Sequence, residues 1–215
     1  MKRPSHRNGF ALPTLMLLLA LTSIATLLAM RNLWVNDQLL NAEADQSRTQ
    51  HKAEAALPVA LADILGVATS QTGETSPDLR HTAGNTTQTH AFFPNSMAEY
   101  DALRQRLGTN TCSAGICTPH ALNANATQAS HWKMQTATAV TLSAADTPYG
   151  DSTAWYWVEV FPQSSSTTNT TFVYRITALA NGVMPGSTTV LQAIWQRHTD
   201  TARTGQWHSW HVLHD

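Results

Sequence analysis

The chain opens on its longest apolar stretch and ends in its most regular alternation. From Asn8 through Met30 no side chain is charged, and FALPTLMLLLALTSIATLLAM is apolar on every side. As a helix, about 20 such residues cross a hydrocarbon core of about 30 Å. Arg31 ends the run, but residues 31–57 contain no Gly or Pro and are rich in Ala, Leu, Gln and Glu, so the helix is expected to continue. Leu33, Leu40, Ala53, Ala56, Leu57, Ala60, Leu61 and Ile64 stand near 3- and 4-residue spacing, with Asp45, Gln46, Arg48 and Lys52 between them. The pattern predicts one helix, greasy first and amphipathic later, about 70 Å long from Phe10 to Leu57. Pro58 ends or kinks it, and Gly66 is a stop.

Residues 66–95 mix Gly, Thr, Ser, Asn and Pro with little periodicity and read as loop. Ser96 and Glu99 match a capping box opening a short helix; Tyr100, Leu103 and Leu107 form its apolar face, and Gly108 ends it. Strands are expected from residue 131 onward. Lys133–Leu142 alternates, with Met134, Val140 and Leu142 as core candidates. Ala154–Phe161 is dense in aromatic and β-branched residues. In Thr171–Ala178, Phe172, Tyr174 and Ile176 share one face and Val173 and Arg175 the other. Thr189–Gln196 and Trp207–Val212 complete the set, joined by PQSSSTTN, ANGVMPG and RHTDTARTG at hairpin-like spacing. The fold class expected is α+β: a long N-terminal helix whose amphipathic half packs on an antiparallel sheet of four or five strands.

Composition narrows the surroundings. Charged residues are 13% of the chain, against about 25% in typical soluble domains. Thr, Ser, Asn and Gln replace them, which suits an exported surface. Net charge is −1, so nothing electrostatic points to nucleic acid or acidic membranes. Lys2, Arg3 and Arg7 precede the apolar run and should stay cytoplasmic, which places the bulk of the chain in the periplasm. Trp34 reads as an interfacial aromatic at the periplasmic membrane edge. Cys112 and Cys117 in CSAGIC are expected to form a disulfide in that oxidising space, with Gly115 supplying the turn; free thiols are the alternative, and redox chemistry lacks its Cys-x-x-Cys context.

Catalytic and metal motifs are absent. On a regular strand His208 and His214 would share a face while His211 points away, so one metal site cannot easily use all three. Acidic residues are too dispersed for paired acid–base work. Glycine-rich phosphate loops and nucleophile elbows are missing. The sequence implies neither enzyme activity nor any metal or cofactor. Trp155 and Trp157 share a strand face and Trp207 and Trp210 flank the last strand; they read as core, or, where exposed, as a surface for another subunit or a sugar.

The pattern Arg7-Asn8-Gly9-Phe10-Ala11-Leu12, followed by an uninterrupted apolar helix, resembles the type IV pilin-like proteins. The resemblance implies cleavage by a prepilin peptidase between Gly9 and Phe10 and methylation of the new amine on Phe10. Three further segments are similar to minor pilins of the PilX kind: Ala53-Glu54-Ala55-Ala56-Leu57, Tyr174-Arg175-Ile176-Thr177 and Val190-Leu191-Gln192-Ala193. Residues 66–130 stand outside this resemblance. Most pilins carry Glu as the fifth mature residue, where this chain has Thr14. In the family that buried carboxylate is thought to pair with the amine of a neighbouring subunit and so set assembly register. A subunit with Thr14 has less need of a subunit ahead of it, which implies a tip or priming position. Pro13 sits in the first helical turn, where its missing N–H does little harm.

The expected organisation is a leader (1–9), a transmembrane half-helix (10–30), a periplasmic amphipathic half-helix (31–65), a variable region with the disulfide loop (66–130) and an antiparallel sheet (131–215). The resemblance implies a minor pilin that helps assemble a type IV pilus. It would cross the inner membrane once, N-terminus inside, with its domain in the periplasm, and later reach the pilus at the cell surface. Implied partners are other minor pilins, a large tip adhesin, the prepilin peptidase, the inner-membrane assembly platform and the lipid bilayer. Two rival readings are a type II secretion pseudopilin near the tip and a pilus-tip adhesin.

Overall fold

The computed structural model describes residues 11–66, 91–108, 112–119, 124–150, 153–164, 170–198 and 204–214. It divides into two compact units, Met1–Ala44 and Asp45–Asp215. One helix, α1 (Ala11–Ile64), contributes residues to both and carries Pro58 in its interior. Within the first unit α1 exposes Leu12, Leu15–Leu19, Leu21, Ile24, Leu27, Leu28 and Met30. Its most apolar 18-residue window has a mean hydropathy of 2.1, long and apolar enough to cross a membrane. The hydroxyls inside this stretch donate to their own helix: Thr22 to Leu19 O (3.0 Å), Ser23 to Leu19 O (2.7 Å) and Thr26 to Ser23 O (2.8 Å). Such back-bonding satisfies polar groups that hydrocarbon cannot.

In the second unit the rest of α1 packs on a sheet. Ala53, Ala56, Ala60 and Ile64, all with no exposed surface, form a seam against Tyr156, Val158, Tyr174, Ile176 and Leu191. Three alanines among the four let helix and sheet approach closely, because interaxial spacing follows side-chain size. The short helix α2 (Met97–Leu107) adds Tyr100, Leu103 and Leu107 to the same core, together with Phe92 and Phe93. Its N-cap forms as the sequence predicts: Ser96 Oγ accepts from Glu99 N (3.3 Å), and Glu99 Oε2 accepts from Asn95 N (2.6 Å). Gly108 closes it at φ 66°.

Four long strands build the sheet: β4 (Ala154–Ser164), β5 (Thr170–Asn181), β6 (Thr188–Arg197) and β7 (Gly205–Leu213). They are consecutive antiparallel neighbours, meeting the expected four to five strands. Three two-residue strands extend the sheet to seven among the described residues: β1 (Cys112–Ser113), β2 (Ile116–Cys117) and β3 (Val140–Thr141). β2 joins β4 in parallel, Ile116 opposite Val158, so the sheet is mixed at that edge. The opposite sheet face is covered by a second cluster around Trp132 and Trp157, whose ring centroids are 5.1 Å apart, with Leu179, Val190 and Leu213. Both indoles are satisfied, Trp132 by Ala126 O (2.9 Å) and Trp157 by Thr138 Oγ1 (3.2 Å).

The strand expected over Lys133–Leu142 is not there. The last residue of helix α3 (Ala129–Lys133) and a 3-10 turn at Thr136–Thr138 interrupt it, and only Val140–Thr141 pairs as a strand. Met134, expected in the core, is 80% exposed, whereas Leu142 is buried. Two forces override the alternation. Burying Trp132 fixes a helical turn before it, and Thr138 Oγ1 donates to Gln135 O (2.9 Å), the kind of local bond that competes with a strand ladder.

Candidate functional site

Gly9 and Phe10, the expected processing point, lie outside the described residues. Thr14 lies in the first turns of α1 and is exposed; the helix has no acidic residue in its first turn. Its first carboxylate is Asp37.

Cys112 and Cys117 are joined by a disulfide, with Cα atoms 4.1 Å apart. They face each other across the β1–β2 hairpin, one pair removed from the turn pair Ser113–Ile116. A two-residue hairpin turn of the favoured hand needs positive φ at both central residues, and Ala114 (47°) and Gly115 (75°) provide it. Gly115 is also a wedge. Its N–H donates to Thr138 O (2.7 Å), its carbonyl accepts from Val158 N (2.7 Å), and a Cβ there would lie 2.6 Å from Val140 Cγ2. The cross-linked hairpin is thus docked onto β3 and β4.

The side chains that tie α1 to the sheet were not foreseen. Asp45 and Lys52, expected among the polar positions between the apolar ones, are 5% and 3% exposed, and Thr49 between them is fully buried. They grip the β5–β6 turn. The Asp45 carboxylate accepts from Val183 N and Met184 N, both at 3.0 Å. Thr49 Oγ1 donates to Asp45 O (2.7 Å) and lies 3.3 Å from Ser187 Oγ. Lys52 Nζ donates to Thr153 Oγ1 (3.1 Å) and Asn181 O (3.3 Å). Gly182 makes this approach possible: a Cβ there would lie 2.5 Å from Ser187 Oγ, 2.7 Å from Thr49 Oγ1 and closer still to Asp45 Oδ2. The Val183 and Met184 N–H bonds, aided by Ser187 and Lys52, hold the Asp45 carboxyl below its usual range despite the opposing effect of burial. The turn apex stays open, with Val183 82% and Met184 39% exposed. The one signal in the sequence was the 4- and 3-residue spacing of Asp45, Thr49 and Lys52, which puts them on one helix face.

Lower in the core, Asp63 accepts from Tyr156 Oη (2.9 Å), and Arg197 Nη2 donates to Ile64 O (3.1 Å) at the end of α1. The PilX-like segments Tyr174–Thr177 and Val190–Ala193 lie beside each other in the β5–β6 ladder. Thr177 and Gln192 are cross-strand partners, and Gln192 Nε2 donates to Thr177 Oγ1 (3.1 Å). Arg175 makes a two-pronged pair with Glu159 on β4 (2.6 and 2.7 Å), with the Glu159 side chain fully buried. Tyr174 is buried between Phe93 and Trp195, and its hydroxyl has no hydrogen-bond partner among the described residues. Burial pushes its pKa up to about 12, against a smaller opposing effect of Arg197.

The histidine geometry needs correction. A register shift between Ile194 and Trp195 adds one residue to β7. His208 consequently bonds Gln196 (2.7 Å) while His211 stands opposite Gln192, and these two glutamines share a face of β6. His208 and His211 therefore share a face instead of opposing each other. Of the tryptophans, Trp132, Trp157 and Trp195 are buried, whereas Trp34, Trp207 and Trp210 are exposed. Trp207 and Trp210 lie within β7 and are not core.

No curated protein and no solved structure matches this chain. Residues 113–197, from the disulfide hairpin to the end of β6, match the family model described as the C-terminal region of the type IV pilus assembly protein PilX. With a long apolar helix ahead of that region, the match supports a PilX-like minor pilin, a component of type IV pilus assembly.

Proposed function

We propose that the chain is a minor pilin that is cleaved after Gly9, methylated on Phe10, and joined to other minor pilins in a tip or priming complex. Its work is assembly, not catalysis. The observation that carries this reading is the conjunction in one chain of an exposed apolar helix and the PilX match at residues 113–197. The subunit crosses the inner membrane once, with Lys2, Arg3 and Arg7 inside and the sheet domain in the periplasm. The prepilin peptidase and the inner-membrane assembly platform are its processing and extrusion partners, and a large tip adhesin is a further partner of the same complex. Thr14 supports the tip or priming position: a hydroxyl can bond its own helix but cannot pair with the ammonium of a preceding subunit.

Mass spectrometry of the chain recovered from its native host tests the processing step. A methylated N-terminus at Phe10 is expected; a mature chain that starts at Met1 refutes it. Gold labelling of intact pili tests the position. Label at filament ends is expected, and label distributed along the shaft refutes the tip assignment.

A further inference from the structure

We propose that the Cys112–Cys117 disulfide is a redox lock on the outer edge of β4. Closed, it holds the β1–β2 hairpin over that edge; reduced, it lets the hairpin come away while the rest of the sheet stays folded. The lock is a property of the sheet domain and does not depend on the assembly reading above.

The hairpin is poorly specified by its own sequence. Each strand is two residues long, and an isolated hairpin is marginal in water. Its turn is Ala114-Gly115, where Asn-Gly, Asp-Gly and Gly-Gly are the favoured pairs. Ala114 is the one non-glycine residue with positive φ among the described residues. In that conformation its Cβ crowds the following carbonyl. The cross-link, set one residue pair from the turn, offsets this cost by restricting the open chain.

The hairpin covers a defined stretch. Along the outer edge of β4, β3 pairs with Trp155 and Tyr156, and β2 pairs with Val158 and Glu159. Val158 N donates to Gly115 O, and Gly115 N to Thr138 O, both at 2.7 Å. The two residues of β2 also serve opposite faces of the sheet. Ile116 lies in the core shared with α1, and Cys117 in the cluster around Trp132 and Trp157. Losing the hairpin bares the Val158 N–H and opens both layers at one point. It leaves the long ladders from β4 to β7 intact, which makes the opening local.

Cys117 is 1% exposed and Cys112 is half-buried, so an external thiolate reaches Cys112 Sγ first. The reductant is a dithiol. Its first thiolate bonds to Cys112 Sγ, and the Cys112–Cys117 bond breaks with Cys117 leaving as a thiolate. Its second thiolate closes the reagent's own disulfide and releases Cys112. Two electrons pass to the pair, and both thiolates take up protons. The charge that first forms on Cys117 is costly beside Trp132, Trp157 and Leu179, which favours its exit to water. A disulfide oxidant runs the exchange backwards, so a chain exported as proposed above completes its β4 edge in the oxidising compartment.

The test is backbone hydrogen exchange on the full chain in detergent, with and without dithiothreitol. After reduction the amides of Gly115 and Val158 should exchange faster by about tenfold or more, while those of β5 and β6 keep their protection. Cys117 should then react with iodoacetamide within about tenfold of the rate of Cys112. Ala114→Gly relieves the turn, so in the reduced variant exchange at Val158 should be about threefold slower than in the reduced parent. A disulfide that survives dithiothreitol in the folded chain overturns the lock. So does a reduced chain in which Gly115 and Val158 stay protected and Cys117 stays unreactive. Loss of protection in β5 and β6 as well assigns the disulfide to the whole domain and overturns local release. Equal exchange in the reduced parent and reduced Ala114→Gly overturns the turn as the reason the cross-link is needed.

Discussion

Replacing Asp45 isolates the strongest link between α1 and the β5–β6 turn. In Asp45→Asn the side-chain volume is kept but the charge is lost, and an amide can present only one oxygen to the two N–H groups of Val183 and Met184. Hydrogen bonds to a charged acceptor are worth about 1.5–3 kcal/mol each. The turn apex is open to water, with Val183 82% exposed, so solvent can take over part of each bond in the variant. A net loss of about 1.5–2 kcal/mol follows. For a domain of this size it lowers Tm by about 3–8 °C. The assay is thermal unfolding of the full chain in detergent, followed by near-UV circular dichroism, which reads the buried Trp157 and Trp195 instead of the helix. Protonation gives a second signature. The folded pKa of Asp45 is lowered from 3.8, chiefly by the Val183 and Met184 N–H groups. Its contribution is therefore complete above about pH 4–5 and is lost as pH falls through the folded value. The parent protein should lose stability in acid more steeply than Asp45→Asn, and the two curves should converge at the lowest pH. Equal Tm values at pH 7, or parallel acid profiles, would refute the argument.

Three other changes probe separate parts of the domain. Replacing both Cys112 and Cys117 by Ser should cost about 2 kcal/mol, and adding reductant should lower the Tm of the parent chain but not that of the variant. Glu159→Gln breaks a buried ion pair and should cost about 3 kcal/mol by denaturant unfolding, with part of the loss recovered when Arg175 is replaced by Leu as well. Tyr174 should resist ionisation until about pH 12 in an absorbance titration of the four tyrosines. Its folded pKa is raised above the unfolded value of 10.0, so the associated stability is present below about pH 10 and disappears as pH rises through about 12. A Tyr174 that titrates near the unfolded value of 10.0 would refute the burial argument.

Periodicity was readable wherever one face of an element is dry and the other wet. Phe172, Tyr174 and Ile176 alternate with Val173 and Arg175 because β5 lies between two different layers, and the structure buries the first three. The apolar run of α1 and the capping box at Ser96 were legible for the same reason: each is a local pattern with one physical solution. Lys133–Leu142 was misread because only Val140–Thr141 of it joins the sheet. Trp132 draws the segment into a helical turn against Trp157, a contact 25 positions away in sequence that no local window contains. The histidines failed for a related reason. A single extra residue in β7 inverts the parity of every position beyond it, and nothing in GQWHSWHVL marks where that residue falls.

The polar face of α1 shows why the candidate site was harder to read than the fold. Sequence reasoning assigns Asp, Thr and Lys on an amphipathic helix to water, since burying them without partners is costly. Here Asp45, Thr49 and Lys52 are buried because the β5–β6 turn brings their partners: two backbone N–H groups, the Ser187 hydroxyl and the Asn181 carbonyl. Those partners come from about 140 residues downstream, at a turn whose own sequence, Asn181-Gly182, signals only a turn. Gly182 is the point where the two readings meet. Its lack of a side chain suits any turn, yet the atoms a Cβ would strike belong to Asp45, Thr49 and Ser187. The glycine therefore reports a docking contact, and Gly182→Ala should loosen α1 from the sheet at least as much as Asp45→Asn does, although it removes no hydrogen-bonding group.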